Sequence, residues 1–301
     1  MNPLDIAISA MYFLSLGEKI LLRKNIDSID TLALLSIEEI CAIVHRPLSR
    51  AAWNGPLWVK EALNSASIMA AKGILGVLYD SVEFPALCRT MKDPPYALYC
   101  LGNLGVLERQ CVSVVGTRRV CQDTARAAHD FSRDACAAGL SVVSGLAYGI
   151  DSFAHKGALA SGQKACTCAV LPCGADTVVP YGNRALALQI LKNDGLLLSE
   201  YIPGTPAEPW RFVQRNRIVA ALSPAAVVVH APAGSGALIT ADFALSENRE
   251  LLFHSAGFLP SAKRTGQTVR TYVDEGAGVI GSFAEFELAL VKAPGAFSHP
   301  E

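Results

Sequence analysis

The sequence has few of the features that mark metal proteins or disulfide-bonded secreted proteins. Its nine cysteines are scattered, and none stands in a C-x-x-C pair or in a Cys/His spacing that suits zinc. Several fall in predicted strands, where a free cysteine packs as a small apolar residue. Reduced cysteines are typical of the cytoplasm. We therefore expect a cytoplasmic protein with no metal and no cofactor.

Targeting and membrane segments are also missing. The first residues, M-N-P-L-D, place no cationic segment before an apolar run, so no secretion signal is visible. No apolar run reaches about 18 residues without a charge, a proline or a glycine, so we expect no membrane-spanning helix. The formal net charge is −1, which excludes a uniformly basic nucleic-acid protein. Binding of nucleic acid then has to come from a local cluster of cations.

The length of 301 residues suits one large α/β domain with a smaller partner. The predicted division is a small helical domain over 1–82, a larger α/β domain over 83–292 and a loose tail over 293–301. Helices without intervening strands are predicted over 3–16, 36–44 and 57–71. Residues 83–110 are predicted to be a proline-containing connector with a short edge strand over 97–101.

From Cys111 onward, predicted strands and helices alternate. Short apolar runs rich in valine predict strands over 112–115, 141–143, 165–171, 196–198, 225–230, 251–253 and 278–280. Apolar residues close to helical spacing predict helices over 123–138, 152–160, 184–192, 214–222, 239–246 and 282–290. Repeated strand–helix units with right-handed crossovers give a mostly parallel sheet covered by helices on both faces.

Three of the predicted strands end in glycine turns. Gly116 ends the first strand, Gly145 ends the second, and A-G-S-G at 233–236 follows the fifth. The carboxyl ends of parallel strands share one edge of the sheet, where ligands bind. Backbone N–H groups exposed by glycine turns and helix starts favour anions there. The G-x-G-x-x-G fingerprint and the Walker lysine are absent, so the prediction of a phosphate ligand rests on the three turns together.

Basic residues stand close to these turns. They are Arg118 and Arg119 after the first strand, Arg184 after Asn183, and Arg211, Arg215 and Arg217 at the start of one predicted helix. The planar guanidinium group suits phosphate oxygens, so the edge is predicted to be cationic. For Arg215 and Arg217 a structural ion pair is an open alternative. The candidate partners of such a pair are Asp151 and Glu200.

Aromatic residues lie near the same loops. They are Tyr148, Tyr181, Tyr201, Trp210 and Phe212. Bases stack on such rings, and cationic grooves that contain aromatic residues suit single-stranded nucleic acid. The alternative role of each ring is packing inside the protein.

Candidates for catalysis are few. Asp151 and His155 are four residues apart, which is about one helical turn, so their side chains could face each other. Asp151 directly follows Gly149 and Ile150 and is equally well explained as a helix cap. We therefore favour a structural pair over a general base. The sequence contains no recognisable nucleophile with a partnered base.

These motifs together resemble the DprA/Smf family of DNA-processing proteins. They are V-V-G-T-R at 114–118, S-G-L-A-Y-G-I-D-S-F-A-H at 144–155, P-Y-G-N at 180–183, L-L-S-E-Y at 197–201, R-N-R-I-V-A-A-L-S at 215–223 and G-S-G-A-L-I-T-A at 234–241. The resemblance covers about residues 80–260, and its long combined motifs are specific. It implies an extended Rossmann-like fold preceded by a small helical domain similar to sterile-alpha-motif folds.

The resemblance also implies a function. Proteins of this family bind single-stranded DNA without strong sequence preference, protect it, and help to load a RecA-type recombinase during natural transformation and DNA recombination. They are not known as enzymes, so no catalytic residue is expected, and a homodimer is the expected assembly. The residues expected to bind nucleic acid are Gly116, Thr117, Arg118, Arg119, Ser144, Gly145, Gly149, Asn183, Arg184, Arg215, Asn216, Arg217, Gly234, Ser235 and Gly236. Asp151 and His155 are expected to be structural at this site.

The alternative hypothesis is a nucleotide-processing enzyme similar to the lysine-decarboxylase-like phosphoribohydrolases. Those enzymes carry a glycine-rich loop followed by a glutamate that acts in catalysis. In the comparable loop of this chain, G-S-G-A-L-I-T-A, Thr240 stands where the carboxylate is expected. Because the acid is missing, we favour DNA binding over hydrolysis.

Overall fold

The computed structural model describes residues 1–49, 53–262 and 267–292. From Cys111 onward strands and helices alternate as predicted, and within the described residues the strands join one nine-stranded sheet. The loose tail predicted over 293–301 lies outside the described residues. In the part of the chain that is described, no helix is both long enough and apolar enough to cross a membrane.

The order of the strands places β3 inside the sheet. The strands are β1 (Leu75–Leu78), β2 (Ala97–Gly102), β3 (Cys111–Gly116), β4 (Ser141–Ser144), β5 (Thr167–Val170), β6 (Leu196–Ser199), β7 (Ala225–His230), β8 (Glu250–His254) and β9 (Gly278–Ile280). Their order across the sheet is β1-β2-β6-β5-β4-β3-β7-β8-β9. Only the pairings of β2 with β1 and β6 are antiparallel among the described strands. The predicted fold class, a mostly parallel Rossmann-like sheet, is confirmed.

Helices cover both faces of this sheet, as predicted. They are α6 (Ala86–Arg89), α7 (Gln122–Ala137), α8 (Ile150–Ala160), α9 (Arg184–Lys192), α10 (Pro209–Ala221), α11 (Gly236–Ser246), α12 (Gln267–Asp274) and α13 (Phe283–Lys292). Successive residues of a strand point to opposite faces. Val114 of β3 packs in one core with Phe131 of α7, and Val115 packs in another with Val219 of α10. Burial on both faces explains the unbroken valine run of β3.

Two strands differ from the sequence prediction. β1 lies inside the segment over 1–82 that we predicted to have no strand, so that part of the prediction is wrong. Its four residues form a run too short to be told from a helix end by periodicity. The strand predicted over 97–101 is present as β2, but it is not an edge strand, because it pairs with both β1 and β6. The domain division at residue 82 stays a prediction.

The N-terminal part is helical, as expected. Its helices are α1 (Pro3–Ser9), α2 (Leu16–Asn25), α3 (Ile29–Leu34), α4 (Ile37–Val44) and α5 (Gly55–Lys72). The single helix predicted over 3–16 ends at Ser9, and a second helix begins beyond it. The Ser15 hydroxyl accepts a hydrogen bond from the Glu18 N–H, and the Glu18 carboxylate accepts one from the Ser15 N–H. This capping box starts α2.

The N-terminal helices pack directly on the sheet. Their apolar residues share one core with Tyr96, Tyr99 and Ile202. Polar contacts cross the same seam, since the hydroxyls of Ser9 and Tyr99 are 2.5 Å apart. The Ser65 hydroxyl of α5 also donates to the Pro203 carbonyl at 2.7 Å. These buried contacts hold the helical part against the antiparallel end of the sheet.

We expect Ser65→Ala to weaken this seam. The Ser65 side chain is buried, and its removal leaves the Pro203 carbonyl without this donor, at a cost of about 1–3 kcal/mol. Ser67→Ala is the matched control, because the Ser67 hydroxyl bonds to the Leu63 carbonyl of its own helix. Chemical unfolding should give a lower midpoint for Ser65→Ala than for Ser67→Ala. Equal midpoints would mean that the bond across the seam adds no stability.

Candidate functional site

A cavity lies where the chain reverses its direction across the sheet. After β3 the chain builds β4, β5 and β6 on one side, and α10 then carries it back to β7 on the other side of β3. In doubly wound sheets ligands bind at such a point. The cavity has a volume of about 610 Å³, and Gly116, Gly145 and Gly236 contribute to its wall. The three predicted glycine turns therefore converge on one hollow.

The turn after β3 carries two arginines to the cavity. The Thr117 N–H donates to the His230 carbonyl at 2.7 Å, and the Thr117 carbonyl accepts from the Ile150 N–H at 3.1 Å. These bonds tie the turn to the end of β7 and to the start of α8. Arg118 and Arg119 are exposed and line the cavity. Neither forms a salt bridge within the described residues, so both cations are open to a ligand.

An aromatic ring positions Arg118. The central carbon of its guanidinium group lies 5.4 Å from the centre of the Phe212 ring, and Phe212 also lines the cavity. A guanidinium group can stack on a ring and still donate hydrogen bonds from its edge. Its planar fork matches the oxygens of a phosphate. Arg118 is therefore both supported by α10 and able to bind an anion.

Asp151 orders the loop that follows β4. Its Oδ2 atom accepts hydrogen bonds from the Gly145 N–H at 3.2 Å and from the Ala147 N–H at 3.3 Å. Burial raises the pKa of this carboxyl, and the nearby Arg215 opposes that change. The alternative role of Asp151 as a cap of its own helix is not observed, because no side chain caps α8 at Gly149. The Asp151 carboxylate instead stabilises the loop after β4.

Arg215 forms the floor of the cavity. Its side chain is only 4% exposed, and one guanidinium nitrogen donates to the Val170 carbonyl at the end of β5. The guanidinium group fills the space in which a side chain at position 145 would have to lie, so Gly145 is required there. Burial lowers the pKa of Arg215, and Asp151 opposes that change. Arg215 thus places positive charge beneath the cavity without reaching solvent.

Arg217 does not face the cavity. It lies two positions after Arg215 on α10, which is about 200° around the helix. Its guanidinium group pairs with Glu200 at 2.5 Å and with Asp93 at 3.4 Å, and it is 7% exposed. This position contradicts the assignment of Arg217 to the nucleic-acid-binding residues. The open alternative, a structural ion pair with Glu200, is what the structure contains.

The start of α11 forms part of the cavity wall. Ser235 and Gly236 both line the cavity, and no side chain caps the first turn of this helix. The Ser235 hydroxyl is buried and has no hydrogen-bonding partner among the described residues. The Asn216 side-chain amide donates to the Gly236 carbonyl at 3.3 Å, which ties α10 to α11. An uncapped helix start favours an anion.

Three other predicted residues have structural roles outside the wall. The buried Ser144 hydroxyl donates to the Val114 carbonyl at 2.6 Å, which links β4 to β3. Gly149 has a φ of 80°, and a side chain there would collide with the Thr117 carbonyl. Gly234 has a φ of 73° and does not line the cavity. All three residues fix the conformation of strands or loops next to the cavity.

The turn before α9 lies beside the cavity and not in its wall. Asn183 is buried, and its amide donates to the Leu146 carbonyl at 2.8 Å and to the Ser152 hydroxyl at 2.9 Å. It therefore links this turn to the loop after β4. Arg184 is exposed, and its guanidinium group lies 4.3 Å from the centre of the Tyr181 ring. Arg184 and Tyr181 therefore form an exposed pair of a cation and an aromatic ring.

The aromatic residues near the site divide into exposed and packed rings. Tyr181 is 74% exposed and Tyr148 is 50% exposed. The Tyr148 hydroxyl lies where a side chain at Gly182 would have to be, so Tyr148 stands next to the turn that carries Tyr181. Tyr201 is fully buried and packs edge-on against Trp210 at 6.3 Å. Tyr148 and Tyr181 are available for stacking on a base, whereas Tyr201 is buried and is not available.

His155 is a buried residue of the fold and does not pair with Asp151. Its Nδ1 atom is 2.8 Å from the Thr167 hydroxyl, and that hydroxyl donates its proton to the Val142 carbonyl. Nδ1 must therefore be the donor in the first of these bonds. Burial lowers the pKa of His155 to about 3, and the charge of Arg215 acts in the same direction. The two side chains predicted to face each other have different partners.

Some residues that line the cavity are not among those predicted from the sequence. Pro209 and Val213 line the cavity, and α10 begins at Pro209, before the predicted start at residue 214. Proline in the first turn is a recognised helix-start signal that indicates this boundary. With the helix extended to Pro209, the helical spacing places Phe212, Asn216 and Val219 on one face, and all three line the cavity.

The site as a whole is a cationic hollow without a paired acid and base in its described wall. Arg118 and Arg119 stand at the cavity, Arg215 lies beneath it, and the carboxylate of Asp151 already accepts two backbone hydrogen bonds. Thr240 lines the wall and donates to the Gly236 carbonyl at 3.3 Å. This chemistry suits the binding of a phosphate group.

Comparison with known proteins points to one family. The family model described as DNA recombination-mediator protein A matches residues 76–288. Protein Smf of Synechocystis is 42% identical over 176 residues, which are 57% of this chain. The match spans 44% of the length of that relative.

Two solved structures are similar to this one. The X-ray structure of DNA processing protein A from Streptococcus pneumoniae superposes with a TM-score of 0.75 at 26% identity, over 100% of this chain and 99% of that one. DNA processing protein A from Helicobacter pylori, reported for its single-stranded DNA binding mode, superposes with a TM-score of 0.63 at 27% identity. That match covers 73% of this chain and 96% of the other.

We expect Arg217→Met to destabilise the protein, because it leaves the buried Glu200 without its cation. Removing one partner of a buried ion pair costs about 3–5 kcal/mol. The double variant Glu200→Gln with Arg217→Met should recover part of that loss, since no unpaired charge remains. Chemical unfolding of the wild type and of both variants measures the difference. An equal loss in the single and double variants would contradict the role assigned to this pair.

We expect His155 to make the protein less stable as the pH falls from about 6.5 towards 3. An unfolded histidine binds its proton near pH 6.5, whereas burial lowers the pKa of folded His155 to about 3. Between these values the unfolded chain binds the extra proton, so acid favours unfolding, by up to about 1.4 kcal/mol per pH unit.

The measurement is the free energy of unfolding as a function of pH for wild type and His155→Gln. The variant should have a shallower slope below pH 6.5. His45→Gln is the control, because His45 is exposed at the end of α4, and this variant should keep the wild-type slope. A wild-type slope in His155→Gln would contradict the assignment.

Proposed function

The chain belongs to the DNA recombination-mediator protein A family, and we propose that it binds single-stranded DNA without strong sequence preference. The family model matches residues 76–288, which is more than half of the chain, and the resemblance to the DprA/Smf family is confirmed. The Helicobacter pylori relative has a reported single-stranded DNA binding mode. Its similarity to this chain supports the same class of ligand here.

The observation that carries the proposal is the pair of free cations at the cavity. Arg118 and Arg119 are exposed and form no salt bridge within the described residues, whereas Arg215 adds its charge from below. A phosphate in this hollow can accept hydrogen bonds from guanidinium groups and from backbone N–H groups in the first turn of α11. Contacts to phosphate carry no sequence information, which agrees with binding that ignores base identity.

Exposed aromatic rings extend the binding surface beside the cavity. Tyr148 and Tyr181 are half or more exposed, and Arg184 stacks on Tyr181 at 4.3 Å. Stacking of a base on such a ring contributes about 1–3 kcal/mol and tolerates every base. We propose that phosphates enter the cavity and that neighbouring bases lie on these rings.

The proposal is binding without catalysis. Asp151 holds the loop after β4, and His155 bonds to Thr167 away from the cavity. Thr240 stands where the alternative hypothesis needs a catalytic acid, and a hydroxyl does not replace it. These contacts support a binding protein over a nucleotide hydrolase.

We extend the proposal to the biological role. The bound strand would be protected and passed to a RecA-type recombinase in DNA recombination and natural transformation. Membership in a family described as recombination mediators supports this role. We propose in addition a homodimer as the assembly and the cytoplasm as the compartment.

We expect Arg118→Ala to weaken binding of a single-stranded oligonucleotide of about 20 residues by roughly tenfold or more, because a hydrogen bond to a charged group contributes about 1.5–3 kcal/mol. Arg118→Lys should lie between wild type and Arg118→Ala, since it keeps the charge and loses the planar fork. Fluorescence anisotropy at low salt measures the affinities. Wild-type affinity should fall steeply as salt is raised.

Lys192→Ala is the matched control for loss of one positive charge. Lys192 is exposed at the end of α9, at the amino edge of the sheet, and its variant should bind as the wild type does. Thermal unfolding checks that every variant is folded. The proposal fails if wild type does not bind at low salt, or if Arg118→Ala and Lys192→Ala bind equally well.

A further inference from the structure

We propose that a groove between α7 and α8 carries the nucleic-acid strand onward after it leaves the cavity. This inference rests on the proposed function and adds a second binding subsite to it. The groove, called here the α7/α8 groove, has a volume of about 570 Å³. Val120, Cys121, Arg126, His129 and Phe153 are among the residues that line it.

The cavity and the α7/α8 groove are consecutive along the same stretch of chain. Thr117, Arg118 and Arg119 line the cavity, and the next two residues, Val120 and Cys121, line the groove. Arg119 is therefore the last residue of the cavity wall before the groove begins. A polyanion bound at Arg119 has the groove directly beside it.

Exposed cations border this groove as well. Arg126 lines it, is exposed, and forms no salt bridge within the described residues. Lys156 is exposed on α8, and its ammonium nitrogen lies 5.0 Å from the centre of the Phe153 ring. Together with Arg119 these residues continue the positive charge of the cavity along the surface. Phe153 adds an aromatic ring to the groove beside Lys156, a combination that suits single-stranded nucleic acid.

The acidic groups at the groove are engaged by neighbours. The Asp130 carboxylate lies 3.0 Å from the His129 ring nitrogen and 3.2 Å from a guanidinium nitrogen of Arg133. Asp123, near the start of α7, is not among the residues that line the groove, and its carboxylate is turned to the Ser261 hydroxyl at 2.6 Å. Arg126 and Lys156 have no such acidic partner within the described residues. The charge of the groove therefore complements a polyanion and not a basic or purely apolar partner.

The test separates the groove from the cavity by the length of the ligand. The groove variant is Arg126→Ala with Lys156→Ala, two exposed positions where substitution usually changes stability by less than about 0.5 kcal/mol. The ligands are a single strand of about four nucleotides, near the smallest site size of such proteins, and one of about 20. Affinities come from anisotropy at several salt concentrations, with thermal unfolding as the check on folding.

We expect the groove variant to bind the short strand as wild type does and the long strand about tenfold more weakly. The slope of log affinity against log salt for the long strand should fall by about 1.4, since each lost phosphate contact on a single strand accounts for about 0.7. The control with equal charge loss is Lys24→Ala with Lys192→Ala. Lys24 is exposed at the end of α2 and Lys192 at the end of α9, both away from the groove, so this variant should match wild type with both strands.

The outcomes distinguish this inference from the proposed function. If the groove variant and the control bind the long strand equally, while Arg118→Ala weakens both strands, the groove is not a subsite and the proposed function stands. If the groove variant loses affinity for both strands equally, a general loss of charge explains it and the inference is overturned. If wild type binds neither strand, both proposals fail.

Discussion

The site depends on two buried charges that compensate each other beneath the cavity, the carboxylate of Asp151 and the guanidinium group of Arg215. Each shifts the pKa of the other towards the charged form, against the cost of burial. Asp151 orders the loop after β4 through Gly145, and Arg215 ties α10 to the end of β5 through the Val170 carbonyl. Because unpaired buried charges are costly, this pair holds the elements around the cavity in a single arrangement.

The arginines of α10 and of the turn after β3 therefore have different tasks. Arg215 and Arg217 are buried and engaged with groups of the protein, so they stabilise the scaffold. Arg118 and Arg119 are exposed and form no salt bridge among the described residues, so they are the cations that we propose contact the ligand. In a chain with a net charge of −1, this division concentrates positive potential where phosphates would bind. The arginines near the glycine turns therefore divide into two that stabilise the fold, Arg215 and Arg217, and two that are proposed to bind, Arg118 and Arg119.

The N-terminal helices pack against the antiparallel end of the sheet. β1 and β2 extend the parallel sheet by two antiparallel strands, and the helices pack on that extension through a shared apolar core. The Ser65 hydroxyl and the pair of Ser9 and Tyr99 add buried polar contacts across the seam. A substitution in this seam can therefore affect the stability of the whole chain without touching the cavity.

Local patterns in the sequence were sufficient to predict the alternation of strands and helices, to locate the glycine turns and to indicate the family. Valine runs and helical spacing predict elements such as β3 and α9 because their signals lie within a few consecutive residues. Tertiary structure decided which side chains meet. Arg217 turns towards Glu200 because of its phase on α10, and His155 bonds to Thr167 and not to Asp151. β2 lies inside the sheet because it pairs with β1 on one side and, on the other, with β6 from a distant part of the chain. Such partners depend on packing between elements, and no local spacing encodes them.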